Sequence, residues 1–509
     1  MPEQPIDPSV NLPPDAELGA PVAADAEKGL PMTAKWDPER LAREEAALRE
    51  INAQPFFQRI RGYAKLTGPA WLQSAMTLGA GSAVASVVAG AAYGYQLLWV
   101  QPVAMFLGIM MLAALGNVVL SSGERPYSSF AREISPLLAF LWALGTVLAS
   151  VIWHFPQYTL AAGVTWDTAN ALGVPAESRV GEYLVRFGIG FTILGINIFT
   201  TWNYGSRTAG IKLYEGFIRW VIRLVIISFL LVFVINTFQG NIDWGEIFRG
   251  YVAFQIPRIE DGSYDPHAVM VILGALGASV GINMTFLYGY SMLAKGWGKY
   301  HKGLSRYDLF SSMFLPFVIV TSLVIIAMAS TVHGTGVVED PTRMAPLDAS
   351  RALRGLFDFE FLPQWLAENG GRIVFNLGFL GMVCGAISTH MVVCGFTFCE
   401  MFKLEYSVWR YRLFTLVPAI GMLGVVLPMP MWGPIVASAV AFTMLPIAYL
   451  CFIVMNNKRS YLGDAVGKGW TRWLFNAVLV VALTMSVIGA SILIYTRVIT
   501  PIYAVLVGS

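Results

Sequence analysis

The sequence predicts an all-α polytopic membrane protein of about eleven transmembrane helices, built as two five-helix repeats of inverted topology plus one extra helix. Three observations carry that expectation. The 509 residues are 56% hydrophobic and only 13% charged, and the mean hydropathy of +0.60 is too high for a soluble chain of this length. Eleven stretches approach the roughly 20 apolar residues that a helix needs to cross a bilayer. Two of them, about 200 positions apart, are interrupted at their middles by small residues: Gly79-Ala80-Gly81-Ser82 and Gly277-Ala278-Ser279-Val280-Gly281-Ile282-Asn283. Glycine costs a helix about 1 kcal/mol against alanine, and unwound backbone is tolerated in a membrane only inside protein or beside a cavity. Paired interruptions in corresponding halves therefore mark the substrate site of a secondary transporter.

In chain order, residues 1–60 read as a hydrophilic cytosolic tail, rich in Pro, Ala, Asp and Glu and lacking a signal-peptide core. Its segment 37–60 has the spacing of an amphipathic helix (Leu41, Ala47, Leu48, Ile51), although a solvated tail is the plainer expectation. The first repeat, residues 61–237, holds spans near 68–93, 96–120, 136–165, 183–203 and 211–237. The second, residues 267–455, holds spans near 267–293, 309–331, 372–399, 411–428 and 432–455, and an eleventh follows at 472–498. Basic residues set the orientation. With the N-terminus in the cytosol and the C-terminus outside, the inner loops carry Arg125 and Arg132, Arg207 and Lys212, Lys295 to Arg306, Lys403 to Arg412, and Lys458 to Lys468. The long loops 238–266 and 332–371 then lie outside and carry more acids than bases.

The net charge of +2 gives no sign of a nucleic-acid partner. Cys384, Cys394, Cys399 and Cys451 lie in apolar stretches without metal-ligand spacing and read as packing thiols. No Walker loop, HExxH or nucleophile triad is present, so the chain reads as no enzyme and needs no cofactor.

The segment Leu66 to Val100, with Leu-Thr-Gly-Pro-Ala-Trp at its start and Tyr-Gly-Tyr-Gln-Leu-Leu-Trp-Val at its end, resembles the opening of the Nramp family of divalent-metal transporters. So do Leu276 to Val280 in the sixth span and Lys212-Leu213-Tyr214-Glu215 in the fifth. Gly385 to Thr389, Leu416 to Ala419 and Leu445-Pro446 extend the resemblance to roughly residues 60–498. It implies a LeuT-like fold in a bacterial inner membrane, a monomer embedded in the bilayer, and a divalent cation as substrate.

The departures fall on the family's chemistry. Where the resemblance implies a first-span Asp-Pro-Gly-Asn, this chain has Gly79, Ala80, Gly81 and Ser82. Met-Pro-His in the sixth span becomes Gly281, Ile282 and Asn283, a tenth-span Gln becomes Ser438, and the third span's acidic pair becomes Gln157 and Leu160. A carboxylate offsets the cost of stripping a dication of water, and a thioether selects transition metals. Without them, the expected site (Gly79, Ala80, Ser82, Gly281, Asn283, Ser438) favours a hydrated cation such as Mg²⁺ over dehydrated Mn²⁺ or Fe²⁺. The alternatives are a small organic or anionic solute held at the half-helix ends, and a membrane receptor that transports nothing.

His154 and His390 are ionisable groups inside the membrane, and each is either a proton-relay or pocket group or a neutral, hydrogen-bonded ring. Gln157 and Tyr288 are further candidates for the pocket wall, and Pro156 is expected to kink the third span. Glu215 and Arg219 share a helix face at i, i+4; they form an inner gate or snorkel to the interface.

Overall fold

The computed structural model describes residues 38–66, 68–174, 179–204, 208–427 and 443–500. Among these residues the regular structure is all helical, apart from one isolated bridge between Arg258 and Tyr264. Among the described residues eight helices are long and apolar enough to cross a membrane, and the bent pair Ala70–Thr77 and Ala80–Tyr93, at 54° to each other, makes a ninth. Two expected spans look different. In place of a helix over 411–428 there is a short helix, Val408–Thr415, followed by a tighter 3-10 winding over Val417–Val425. Pro418 has no N–H to continue the α ladder. Gly421 and Gly424 then press this segment against the third span, where an added Cβ would lie 2.2 Å from the His154 Cβ and 2.3 Å from the Phe155 carbonyl oxygen. Of the expected span 432–455, the structure shows helix Leu445–Asn457; residues 428–442, and with them Ser438, lie outside the described residues.

Both interruptions exist, but they are shorter than the sequence suggests. In the first span only Leu78 (φ −82°, ψ 77°) and Gly79 (φ −135°, ψ −168°) leave the helix, which resumes at Ala80. In the sixth, Val280 (φ −143°, ψ 111°) and Gly281 (φ −92°, ψ 164°) separate Pro266–Ser279 from Ile282–Ala294. Ala80, Gly81, Ser82, Ser279, Ile282 and Asn283 are thus helical, contrary to expectation. The reason is local: the freed backbone groups find side-chain partners at once, so no further unwinding is needed.

Residues 38–60 of the expected solvated tail are also docked. Helix Pro38–Ala53 buries Leu48 fully. It places Glu44 Oε1 3.0 Å from His301 Nε2, and Asn52 donates to the Tyr300 carbonyl at 3.1 Å. The third span, Pro136–Ala171, carries Pro156 inside a continuous helix.

The third span packs along the eighth, Gln364–Met401, and the pair forms the backbone of the bundle. At the end facing loops 238–265 and 332–363, Asp167 is fully buried and accepts from Arg372 at both carboxylate oxygens. It also accepts from Asn376 Nδ2 at 2.9 Å and Arg351 Nε at 2.9 Å. Small residues on the other side of the eighth span admit the fifth, Thr208–Phe238: Cβ atoms at Gly378 and Gly381 would come within 2.7 Å of Phe229 and Val225.

Arg372 and Arg351 test this clamp by contrast. The Arg372 side chain is 6% exposed and that of Arg351 47% exposed. Removing one partner of a buried pair leaves an uncompensated charge, so Arg372→Met is expected to cost about 3–5 kcal/mol. Arg351→Met is expected to cost about 0–1 kcal/mol. Thermal unfolding of both variants in detergent checks the order; equal losses would contradict it.

Candidate functional site

The two interruptions face one cavity. Its wall combines the first-span residues Met76, Thr77, Gly79, Gly81 and Ser82 with Gly277, Ala278, Gly281, Asn283 and Met284 of the sixth span. Trp153 and Gln157 of the third span and His390 of the eighth close it. The volume is about 20 Å³, close to the space one water fills. No carboxylate lines it, and no group of three or more His, Cys, Asp or Glu side chains clusters anywhere among the described residues.

Each broken helix end is satisfied by nearby side chains. Ser82 Oγ accepts from the Gly79 N–H at 3.1 Å and lies 2.8 Å from the Thr77 carbonyl, to which its hydroxyl donates. Gln157 Oε1 accepts from the Ala80 N–H at 2.9 Å. Helix Ala80–Tyr93 is therefore capped across the bundle by the third span. Gly79 leaves room for that cap: a Cβ there would stand 2.6 Å from Gln157 Nε2 and 3.1 Å from the Ala386 Cβ. In the sixth span, Met284 Sδ accepts from the Gly281 N–H at 3.2 Å and Asn283 Oδ1 from the Met284 N–H at 3.0 Å. Asn283 Nδ2 reaches Ser150 Oγ at 3.4 Å.

Of the residues singled out in the sequence, Gly79, Ser82, Gly281, Asn283, Gln157 and His390 meet at the cavity. Ala80 contributes its backbone N–H to the Gln157 cap and is absent from the wall. Tyr288 is turned away from it, with its hydroxyl 2.7 Å from Ser305 Oγ. His154 stands behind the wall, its ring centroid 5.4 Å from that of His390, and its Nδ1 donates to the Ser150 carbonyl at 2.9 Å. Thioethers are present after all, from Met76 and Met284, two positions the motif comparison passed over.

The gate pairing differs from expectation. Glu215 bonds Lys295 Nζ at 2.9 and 3.1 Å, with both side chains at most 10% exposed. Arg219 donates instead to the Glu215 backbone carbonyl at 3.3 Å. A lysine at the end of the sixth span is a closer match in depth than an arginine one turn along the same helix. Sequence reasoning also missed Asp308, whose two oxygens accept from the Gly68 and Ala70 N–H groups at 2.9 Å each and so cap the start of the first span. The available signal was a single acid at the head of the seventh span, after a segment that carries only basic charges (Lys295, Lys299, Lys302, Arg306).

A helical membrane bundle in which two interrupted spans enclose a buried polar cavity has the architecture of LeuT-like transporters. The chain belongs to the Nramp family, natural resistance-associated macrophage protein-like, whose family model matches residues 70–492. It is 22% identical to the divalent metal cation transporter MntH of Klebsiella pneumoniae strain 342, over 82% of this chain and 92% of that one. With the MntH of Agrobacterium fabrum it shares 24% identity, over 73% and 75%. Among solved structures, the Eremococcus coleocola manganese transporter bound to an aromatic bis-isothiourea compound superposes with a TM-score of 0.63 at 14% identity, covering 94% of this chain and 93% of that one. A nucleobase-cation-symport-1 family transporter in a closed conformation gives 0.53 at 12% identity, over 84% and 92%.

The cross-bundle cap is testable as a coupled pair. Gln157→Leu orphans the Ala80 N–H and is expected to cost about 1–3 kcal/mol. Gly79→Ala drives a methyl into the same amide. Because both act on one contact, the double variant is expected to lose clearly less than the two single losses added together; strict additivity in thermal unfolding would show that the cap is not shared.

Proposed function

We propose that this protein carries a divalent metal cation across the membrane by exposing the cavity between its interrupted spans first to one side and then to the other. The reading rests on family membership, on the names of its MntH relatives, and on one observation: the two breaks enclose a polar cavity of about 20 Å³ deep in the bundle. In this closed form that volume takes a bare ion or one water, so a cation that keeps part of its water enters only as the bundle opens; a small organic solute needs a cavity some tenfold larger or more.

Within that class we favour a cation that keeps much of its water, with Mg²⁺ ahead of Mn²⁺ or Fe²⁺. The wall offers hydroxyl, amide, carbonyl and thioether groups and the neutral His390 imidazole, but no carboxylate. A neutral thioether confers softness without balancing charge, and the Met284 sulfur is already engaged by the Gly281 N–H. Stripping a dication and leaving its charge unbalanced in a low-dielectric site is prohibitive. A hydrated ion enters when the bundle opens and sheds water only in part. The Glu215–Lys295 pair supports closure at its own end, which the distribution of basic loops makes the cytosolic one. Gln157 is committed to capping Ala80 and Leu160 has no titratable proton, so the third span offers no acidic relay. Flux is then uniporter-like.

Uptake into proteoliposomes decides this. Mg²⁺ is expected to enter down its own gradient, unaffected by an imposed pH gradient, while Mn²⁺ competes only in the millimolar range, about −4 kcal/mol. Micromolar Mn²⁺ competition, or uptake driven by the pH gradient, would overturn the reading. Glu215→Gln weakens the closing pair; thiol labelling of a cysteine introduced at Ala278 is expected to quicken from the Lys295 side in that variant, and an unchanged rate would remove the pair from the gate.

A further inference from the structure

Three buried polar atoms around the third span have no hydrogen-bond partner among the described residues: His154 Nε2, His390 Nδ1 and the Tyr158 hydroxyl. They form one group, with the His154 ring centroid 5.4 Å from His390 and 6.0 Å from Tyr158. Twelve buried side-chain atoms lack a partner among the described residues, and three of them meet here, which makes this the place to look for a ligand. The ring of His154 is already oriented for one. Its Nδ1–H donates to the Ser150 carbonyl at 2.9 Å, which leaves Nε2 as a bare lone pair, the arrangement by which a backbone carbonyl fixes a metal-binding imidazole. No carboxylate pairs with either ring among the described residues, so both are neutral donors.

We propose that His154 and His390 hold a monovalent soft cation of the copper(I) class, at a site that adjoins the cavity between the interrupted spans and shares the His390 side of its wall. Charge selects the valence. The cost of burying an ion grows with the square of its charge, so a monovalent ion bears about a quarter of the penalty of a divalent one where only neutral ligands are available. Ligand type selects the metal, because imidazole and thioether donors together suit Cu(I). The spacing has room for a shared ion: two imidazoles bound at about 2.0 Å to one three-coordinate centre have ring centroids about 5.5 Å apart, and here they are 5.4 Å apart. Met76, which lines the same cavity as His390, is the thioether assigned as third ligand. An ion in this position ties the third span to the eighth beside the transport cavity.

The test uses the full-length protein in detergent, loaded anaerobically with Cu(I) against a chromogenic chelator. One equivalent is expected to show histidine scattering from two imidazoles plus one sulfur in X-ray absorption, a measurement on the unaltered protein that needs no variant. His154→Gln and His390→Gln are each expected to weaken that equivalent at least tenfold, while His267→Gln and His333→Gln leave it in place. The four cysteines are free thiols, so copper bound through sulfur alone, retained equally in both buried-histidine variants, would overturn the proposal. So would the absence of any bound equivalent. Neither result bears on Mg²⁺ uptake, which is read separately.

Discussion

Everything about this bundle turns on how it satisfies backbone polar groups where two helices are cut in the middle of a membrane. In lipid an unpaired N–H or C=O costs several kcal/mol, so a break survives only if the protein answers every freed group. The first span does so with Ser82 from its own next turn and Gln157 from the third span. In the sixth, Met284 and Asn283 from its own helix start answer the Gly281 and Met284 N–H groups. The interruptions can therefore be two residues long rather than four or five. That economy leaves a cavity of about 20 Å³ rather than a wide vestibule.

Around this centre the third and eighth spans act as a stiff wall. Asp167 joins them at one end through Arg372 and Asn376, and the two histidines meet where the wall reaches the cavity. At the opposite end the contacts are of another kind. Glu215 of the fifth span meets Lys295 at the end of the sixth, and Asp308 holds the start of the first. Each contact ties an interrupted helix to a neighbour outside it, so movement of a broken span has to break a buried polar contact.

The positions of the interruptions could be read from glycine content, because unwinding follows local propensity. Their length could not, since it depends on Gln157, 77 residues from its partner Ala80. Gln157 read as a lost relay acid; its role as a helix cap needs the crossing of two spans to be visible. Glu215 was legible as a gate residue but not its partner, because i, i+4 spacing offered Arg219 on the same helix and nothing local pointed to Lys295. The two thioethers went unnoticed because the motif comparison looked only at the aligned positions, while Met284 reaches back to Gly281 from one helical turn on. The ninth span's 3-10 winding was signalled by Pro418 and by the glycines at 421 and 424, yet the close approach to the third span that rewards it is a tertiary fact.

The space shared by Gly79 and Gln157 restricts how this sequence can change. A Cβ at position 79 would stand 2.6 Å from the Gln157 amide nitrogen, so an acid placed there by one substitution would collide with the group that caps the neighbouring helix. Regaining a carboxylate at the break requires position 157 to give way first, and that step alone leaves the Ala80 N–H unanswered. The two positions are therefore coupled: an acid at the break has to displace the Gln157 amide or be paired with a residue at 157 that leaves it room, and in either case the Ala80 N–H needs a new partner.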